Sequence, residues 1–374
     1  MKSIKEIKNL SGKRVLVRVA FNVPVKDGKV IDDFRIKKSL KTIKYLQSKN
    51  AKIILISHLG EDEKESFKPI ISKFKKYIPK LVFLDKPIFS DETEDAIKNL
   101  KKGDIVLLEN LRKEKGEKDN SPSFARALSR YGDIYINDDF PVSHRAHASI
   151  VGITKYLPGY AGFQFEEEVK NLSTAFSAKH PFLFILGGAK FSTKIPLIKK
   201  FLHDADNVFI GGALANDFLK AKGYEIGYSL VEEGNFEIKS LLKNKKLILP
   251  RDVEVVKGNS RRFTKSESVL ADENIVDIGP ETLSNLKDLV LNSKFVLWNG
   301  PLGKYGVGSG KPTEELLKLI AKSKKVKSVI GGGDTIAYIS KLKLEKKLGF
   351  VSTGGGATLD FLSKGTLPGI KALK

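Results

Sequence analysis

Short apolar segments alternate with helix-length amphipathic segments along most of this 374-residue chain, and this alternation restricts the fold more than any other feature. In the first half the apolar segments are RVLVRVAF, KIILIS, LVFL, DIVLLE and DIYIND. Helical patterns separate them, the first running from about Phe34 to Lys49. Regular alternation of strands and helices predicts a parallel sheet covered by helices, so we expect an α/β fold.

The alternation breaks at LPGYAGFQFEEEVKNLSTAF and resumes after His180 with PFLFILGG, NVFIGG, LILP, DVEVV, FVLWNG, SVIGGG and FVSTGGG. This second series predicts a second parallel sheet. A chain of 374 residues also exceeds what one hydrophobic core usually organises. We therefore expect a first lobe over 1–163, an interdomain helix over 164–178, a second lobe over 179–364 and a short tail over 365–374.

Composition narrows the possible chemistry and location. The chain has no cysteine, which excludes disulfides, thiolate metal sites and a cysteine nucleophile. No segment has the apolar length of a membrane helix, and the opening MKSIKEIKNLSGKR lacks the pattern of a secretory signal. We therefore expect a cytoplasmic protein with no membrane partner.

The formal net charge of +22 raises the possibility of a polyanionic partner such as nucleic acid. The basic residues are mostly lysines spread through amphipathic segments, without a basic tail or an aromatic-rich binding strip. Such a distribution is typical of solvated helix faces. We therefore expect no nucleic-acid partner.

Glycines directly follow four apolar strands of the second half, at 187–188, 211–212, 331–333 and 354–356. All four positions fall where a parallel sheet presents its carboxyl edge. Glycine there lets backbone amides approach a phosphate, and the following helix offers unpaired N–H groups to an anion. Tight turns alone also favour glycine, but four successive glycine loops favour a nucleotide or phosphorylated ligand.

Two familiar phosphate-binding motifs are absent from the sequence. GVGSGKPT suggests a Walker A loop, but Tyr305 replaces its first glycine and Pro312 follows the lysine where Ser or Thr is required. No G-x-G-x-x-G follows the first strand, so a dinucleotide-dependent dehydrogenase has little support.

Charged residues suited to phosphoryl transfer stand beside the glycines. Asp334 closes GGGDT at a predicted helix start, where it either caps the helix or ligates magnesium together with nucleotide phosphates. Lys190 and Lys194 are four residues apart at another predicted helix start, so we expect them on one helix face. Two lysines at the positive end of a helix dipole favour an anionic ligand there.

The first half carries basic and polar residues after its strands instead of glycine loops. Asn22, Arg35, His58, Arg112 and Arg145 all follow predicted strand ends or begin the next helix. Because parallel strands end at one edge of a sheet, these side chains are predicted to gather there. Together they suit a small di-anion that bears a phosphate and a carboxylate.

Taken together, these segments resemble phosphoglycerate kinase over nearly the whole chain. The matching segments are FNVPVKDGKVIDDFRI, ISHLG, LLENLR, INDDF with SHRAHAS, ILGGAKFSTKI, IGGALANDFLKAKGYEIGYSLVE, VDIGP, LWNGPLG, IGGGDT and STGGGATL. The resemblance implies two Rossmann-like lobes with a hinge, the acid on the first lobe, Mg-nucleotide on the second, and a tail returning to the first. It implies a glycolytic and gluconeogenic enzyme that uses Mg²⁺ with ATP/ADP and acts as a monomer.

Position by position, the resemblance also assigns roles. It assigns the acid substrate to Asn22, Arg35, His58, Arg112 and Arg145. It assigns catalysis to Arg35, Lys190, Lys194, Gly333 and Gly356. It assigns the nucleotide to Gly188, Ala189, Lys190, Lys194, Gly211, Gly212, Asn299, Pro301, Gly332, Gly333, Asp334 and Thr335, with magnesium on Asp334.

Three positions depart from the family pattern. Ala20 replaces an aspartate expected to accept a hydrogen bond from the substrate hydroxyl, an interaction worth about 1.5–3 kcal/mol. Glu61 replaces an arginine expected on the substrate phosphate, and Asp62, Glu63 and Glu65 add to this reversal of charge. Gly306 replaces a glutamate expected on the ribose.

The sequence therefore favours an active phosphotransferase with a carboxyl group as acceptor, with weakened or altered substrate recognition. It leaves open a kinase for another acid, a nucleotide-binding regulatory protein without turnover, and a polyanion binder.

Overall fold

The structure is a computed structural model that describes residues 1–61, 63–234 and 237–374, so Asp62 lies outside the described residues. The chain divides into two compact units. Unit 1 contains Met1–Lys170 and Lys364–Lys374, and unit 2 contains Asn171–Ser363.

Unit 1 is an α/β unit around one parallel sheet. Its strands are β1 (Arg14–Val19), β2 (Val25–Lys26), β3 (Lys29–Val30), β4 (Lys52–Ile56), β5 (Leu81–Phe83), β6 (Ile105–Leu107), β7 (Ile134–Asp138) and β8 (Gly159–Ala161). Its helices are α1 (Phe34–Ser48), α2 (Ile71–Tyr77), α3 (Asp91–Lys98), α4 (Lys115–Lys118), α5 (Pro122–Ser129) and α6 (Phe163–Ser173), which crosses the boundary between the units. The sheet order is β5-β6-β4-β1-β7-β8, and all its strand pairs are parallel.

The central strands of unit 1 are buried and mostly apolar, as expected for a parallel sheet with helices on both faces, and Arg18 in β1 is an exception. In β1, Val15 pairs with Ile53 of β4 and with Ile134 of β7, and all three side chains are buried. Full burial of such a side chain contributes about 1.5–3 kcal/mol, so the core around β1 anchors the strand ends.

The order of the strands in unit 1 creates a switch point. The chain passes from β1 to β4 on one side of β1 and later returns to β7 on the other side. In parallel α/β sheets, ligands bind outside the carboxyl ends of the strands at such a point. The segments after β1, β4 and β7 therefore meet at the expected binding edge.

Unit 2 contains a second parallel sheet in the order β11-β10-β9-β15-β16-β17. Its strands are β9 (Phe182–Leu186), β10 (Asn207–Ile210), β11 (Leu247–Ile248), β12 (Asp252–Lys257), β13 (Ser260–Lys265), β14 (Asn274–Ile278), β15 (Phe295–Asn299), β16 (Lys327–Gly331) and β17 (Phe350–Val351). Its helices are α7 (Ile195–Asp204), α8 (Ala213–Ala221), α9 (Ile238–Leu241), α10 (Pro280–Asn292), α11 (Lys311–Lys322), α12 (Gly333–Leu342) and α13 (Gly356–Lys364, whose last residue belongs to unit 1). A switch point lies between β9 and β15, where two glycine-containing segments end the strands.

The prediction that DVEVV belongs to the second parallel sheet is wrong. This segment forms β12, which pairs antiparallel with β13 and β14 in a separate three-stranded sheet. Gly258 and Asn259 form a two-residue connection between β12 and β13, which is a hairpin signal. The two strands that pair with β12 have the sequences SRRFTK and NIVDI, and neither was predicted as a strand. Without them, DVEVV had no antiparallel partner in the prediction.

The predicted α/β class, with two parallel sheets flanked by helices, is confirmed. The final helix, α14 (Pro368–Ala372), belongs to unit 1, where the Gly369 amide donates to the Ser143 carbonyl over 2.9 Å. Among the described residues, no helix combines the length and apolar character needed to cross a membrane.

Candidate substrate and nucleotide sites

A connected set of contacts joins three of the five predicted acid-binding residues of unit 1, Asn22, Arg35 and Arg112. The Arg35 Nη1 donates to the Asn22 carbonyl over 2.7 Å, and the Asn22 Oδ1 accepts from the Gly60 amide over 3.1 Å. The Arg112 Nη1 in turn donates to the Gly60 carbonyl. The segments after β1, β4 and β6 therefore meet at one edge of the sheet, as the strand order requires.

His58, directly beyond β4, is held as a neutral hydrogen-bond donor. Its Nδ1 lies 2.8 Å from Nη2 of Arg18, and because arginine only donates, Nδ1 accepts and the ring proton lies on Nε2. Burial lowers the pKa of His58 well below its usual value, and the positive charges of Arg18, Arg112 and Arg35 lower it further. A neutral imidazole with a free Nε2–H can donate to a carboxylate or hydroxyl of a ligand.

Arg18, which holds His58 in place, is a buried charged residue that the sequence reasoning missed. It lies inside β1 with no exposed surface, and its Nη1 lies 2.5 Å from the Asp139 carboxylate. The Nε donates to Ser149 over 3.0 Å. A buried charge must be paired, so an arginine within the apolar segment RVLVRVAF was the signal that could have revealed this network.

The guanidinium groups of Arg112 and Arg145 meet at a carboxylate of the protein. Oε2 of Glu61 lies 3.1 Å from Nη1 of Arg112 and 3.7 Å from Nη1 of Arg145. Arg112 is buried, and its Nε has no hydrogen-bond partner within the part of the chain that the structure describes. The structure thus brings both arginines to one anion, which is supplied by Glu61.

In unit 2 the glycine loops pack backbone against backbone. A Cβ on Gly187 would lie 1.9 Å from the Pro301 carbonyl oxygen, and one on Gly212 would lie 2.6 Å from the Gly188 amide nitrogen. The Gly211 amide donates to the Leu186 carbonyl over 2.9 Å. Close packing therefore explains part of the glycine content that the sequence reasoning attributed mainly to phosphate.

Gly333 is different, because neither its backbone angle nor its surroundings require glycine. A Cβ there would meet nothing within 4 Å, and the residue is exposed at the first position of α12. Gly356 is likewise exposed at the first position of α13. Both helix N-termini offer amides and a positive dipole end to an anion.

The prediction that Lys190 and Lys194 share a helix face is wrong. Helix α7 begins at Ile195, after both lysines. Lys190 has a left-handed backbone with φ of 62°, so a right-handed helix cannot extend back from Ile195 through Lys190. Ser192, between the two lysines, is fixed by Glu232, whose carboxylate accepts from the Ser192 amide over 3.0 Å. The lysines therefore lie on a structured loop.

The two lysines differ in environment. Lys190 is exposed, whereas Lys194 is only 8% exposed and its Nζ donates to the Ala189 carbonyl. Burial lowers the pKa of Lys194 to about 8, and the charge of Lys190 contributes to this shift. The negative charge of a bound phosphate would offset this lowering of the Lys194 pKa.

Asp334 is the second residue of α12, so the N-cap is Gly332 and the capping role for Asp334 does not apply. Its neighbour Thr335 is buried, and the Thr335 Oγ1 lacks a hydrogen-bond partner within the described ranges. The same holds for Nδ2 of Asn299, at the end of β15. This unused hydrogen-bonding capacity beside an exposed carboxylate suits a magnesium-bound phosphate.

A cavity of about 540 Å³ lies in unit 2 next to these loops. Five of the predicted nucleotide residues line it: Gly188, Ala189, Gly212, Pro301 and Asp334. Its volume falls in the range of small-molecule sites. The cavity, the loops and Asp334 thus form one candidate nucleotide site within unit 2.

Residues that the sequence reasoning did not select also line this cavity. Asp277 is one, and its carboxylate accepts from the Gly310 amide over 3.0 Å, in the loop that resembled a Walker A motif. Burial raises the pKa of Asp277 to about 6. Tyr228 and Tyr305 also line the cavity, and both residues are exposed.

Two of the three departures remove side-chain atoms without an evident substitute. Ala20 is buried directly after β1, next to Phe21, whose amide donates to the Ser57 hydroxyl over 3.1 Å. A Cβ added at Gly306 would meet nothing within 4 Å. The remaining departure, Glu61, instead adds ion pairs with Arg112 and Arg145.

Comparisons with known proteins identify the family of the chain. Residues 4–365 match the family model described as phosphoglycerate kinase. The phosphoglycerate kinase of Dictyoglomus turgidum is 41% identical over 98% of this chain and 96% of its own length. That of Pseudothermotoga lettingae is 42% identical over 99% of this chain and 98% of its own length.

Solved structures give the same result. The phosphoglycerate kinase of Coxiella burnetii matches with a TM-score of 0.82 and 34% identity, covering 99% of this chain and 98% of that one. The Pyrococcus horikoshii OT3 enzyme matches with a TM-score of 0.89 and 30% identity, covering 100% and 98%. A divergent relative with another function is not favoured by these likenesses.

Proposed function

Because the chain belongs to the phosphoglycerate kinase family, we propose that it transfers the acyl phosphate of 1,3-bisphosphoglycerate to ADP, reversibly giving 3-phosphoglycerate and ATP. The observation that carries the proposal is the pair of anion sites, one in each unit. Unit 1 gathers guanidinium groups at its sheet edge, and unit 2 gathers glycine loops, lysines and Asp334 around a cavity. An acid substrate and a nucleotide require sites of these two kinds.

In unit 1, Arg112 and Arg145 would bind the phosphate of the acid, which matches their shared contact with a carboxylate. Asn22 and the Nε2–H of His58 would hold the rest of the molecule. Arg35 would contact the oxygens of the transferred phosphoryl group and neutralise charge there.

In unit 2, the backbone amides at Gly188 and Gly332 and the N-termini of α12 and α13 would hold the nucleotide phosphates. Gly212, whose own amide donates to the Leu302 carbonyl over 2.7 Å, would line the nucleotide site. Lys190 would neutralise the transferred group, and Lys194 the nucleotide phosphates. Asp334 would hold Mg²⁺, which when bound offsets part of the phosphate charge.

In the forward reaction, a β-phosphate oxygen of ADP forms a bond to phosphorus in line with the acyl oxygen. The bond between phosphorus and the acyl oxygen breaks, and its electron pair remains on the carboxylate of 3-phosphoglycerate. Since both substrates must meet with water excluded, the proposal includes a hinge closure that brings them together.

The proposal also includes the wider expectations that the family resemblance implies: a glycolytic and gluconeogenic role, a monomer, a cytoplasmic location, and small molecules as the only partners. Size-exclusion chromatography with light scattering tests the monomer directly.

A coupled assay with 3-phosphoglycerate and Mg-ATP, run beside a nucleotide titration, tests the function. Turnover that depends on 3-phosphoglycerate is the expected result. Nucleotide binding without turnover on 3-phosphoglycerate or related acids would favour a regulatory protein, and turnover only with another acid would change the substrate. Salt-sensitive RNA binding with neither would favour a polyanion binder.

A further inference from the structure

Glu61 occupies the place where a ligand phosphate would bind in unit 1. A single carboxylate oxygen contacts both Arg112, at 3.1 Å, and Arg145, at 3.7 Å. Two guanidinium groups converging on one oxygen anion is also the arrangement that binds phosphate. The two arginines are therefore already paired with a carboxylate of the protein itself.

The backbone around Glu61 is held in place, so this pairing follows from the fold. The Lys118 Nζ donates to the Glu61 carbonyl over 2.7 Å. The Leu59 amide donates to Asn110 Oδ1 over 3.1 Å, and the Gly60 amide donates to Asn22 Oδ1 over the same distance. The Glu61 side chain itself is 78% exposed, so its carboxylate can swing into water without breaking these contacts.

We infer that Glu61 is a specificity-determining residue that competes within the molecule for the phosphate of the acid substrate. This inference rests on the proposed function for the identity of the substrate. A phosphate monoester carries a charge of about −1.5 to −2 at pH 7 and three acceptor oxygens, whereas a carboxylate carries one charge. A phosphate therefore displaces Glu61 from the arginines, and a ligand with only a carboxylate at this position does not.

The inference predicts that removing the competitor tightens binding. Glu61→Gln keeps the shape of the side chain and removes its charge, and it should lower the Kd for 3-phosphoglycerate about tenfold, or about 1.4 kcal/mol. The KM for 3-phosphoglycerate should fall as well, while the KM for Mg-ATP should not change. Glu63→Gln is the matched control, because it removes the same charge from the same exposed segment, and among the described residues the ion pairs of Arg112 and Arg145 are with Glu61 and not with Glu63.

Calorimetric titrations of the full-length wild type and both variants with 3-phosphoglycerate, and separately with inorganic phosphate, test this inference. Tighter binding of both ligands to Glu61→Gln, with Glu63→Gln like the wild type, supports it. Unchanged or weaker binding to Glu61→Gln overturns it, since Glu61 would then be neutral or a positioning residue for the arginines. An equal gain in both variants also overturns it, because general charge and not the contact would be responsible.

The two ligands separate this inference from the proposed function. If no variant binds or turns over 3-phosphoglycerate but Glu61→Gln binds inorganic phosphate more tightly, the proposed function fails and the competition stands. If the wild type turns over 3-phosphoglycerate and Glu61→Gln shows no gain with either ligand, the function stands and the competition fails.

Discussion

The two candidate sites are built in opposite ways. In unit 1, charged side chains face each other, and the key cations are already paired: Arg18 with Asp139, and Arg112 and Arg145 with Glu61. In unit 2, the site is mostly backbone, with Asn299 Nδ2 and Thr335 Oγ1 unpaired among the described residues. Under the proposed function, the first site would exchange the Glu61 carboxylate for a ligand anion, whereas the second has hydrogen-bonding capacity to fill.

This difference implies different sensitivities. A side-chain network is damaged by removing a charge, because the remaining partner is left buried and uncompensated. A backbone site is damaged by adding atoms, because a Cβ at Gly187 or Gly212 has no room and one at Gly333 would stand where a ligand approaches. The predictions below test that contrast, beginning with the largest expected effect.

Asp139→Asn should destabilise the protein by about 3–5 kcal/mol, because it leaves the fully buried Arg18 without its carboxylate partner. Urea unfolding measures the loss. The control is Asp133→Asn, which removes a partly exposed pair with Arg14 at 2.8 Å and should cost less than about 1 kcal/mol. Equal losses in the two variants would contradict the buried network.

Lys190→Ala should lower turnover about 10²–10³-fold and change nucleotide affinity far less, because the lysine acts on the transferred group. Lys190→Gly should behave alike, since glycine adopts the φ of 62° found here and controls for backbone strain. Lys199→Ala, on the exposed part of α7, is the charge control. Steady-state kinetics with a Mg-ADP titration measures both quantities, and unchanged turnover would remove Lys190 from the mechanism.

Gly187→Ala and Gly333→Ala should separate packing from ligand approach. The first places a methyl group 1.9 Å from the Pro301 carbonyl oxygen and should cost about 1–3 kcal/mol of stability or more. The second meets nothing within 4 Å, so stability should hold while Mg-ADP affinity falls about tenfold. Urea unfolding and calorimetry measure the pair, and a Gly333→Ala variant with normal affinity would show that no phosphate approaches there.

The affinity for Mg-ADP should fall as pH rises from 7 to 9. The pKa of Lys194 is lowered to about 8, so this ammonium is mostly charged at pH 7 and only about one-tenth charged at pH 9 in the free protein. The loss should approach, and not exceed, about tenfold, because bound phosphate itself favours the charged form. Lys194→Arg remains charged throughout and should flatten the profile, so an equal slope in that variant would rule out Lys194 as the cause.

The sequence predicted those features that depend on local pattern. The alternation of strands and helices predicted both parallel sheets, and the helix predicted from about Phe34 to Lys49 is α1 (Phe34–Ser48). The positions of Asn22, His58 and Arg112 after predicted strands indicated that they would lie at one edge of the sheet, because parallel strands share one carboxyl edge.

What the sequence did not reveal depends on contacts between distant segments. Arg18 is fixed by Ser149 and Asp139, more than 100 residues away along the chain. The position of Lys190 depends on a left-handed backbone, which no periodic pattern shows. For Glu61, the sequence predicted repulsion of a phosphate, whereas its ion pairs with two arginines appeared only in the structure.

The most direct test of the two-site account is to titrate the isotope-labelled full-length protein with each ligand separately and follow backbone amide and arginine Nε–H signals by NMR. The account predicts that Mg-ADP shifts the amides of Gly188, Gly212 and Gly333 most, and that 3-phosphoglycerate shifts the Nε–H signals of Arg112 and Arg145 most. If Mg-ADP acted mainly on the arginines, or if 3-phosphoglycerate acted mainly on the glycine loops, the assignment of one ligand to each unit would be contradicted.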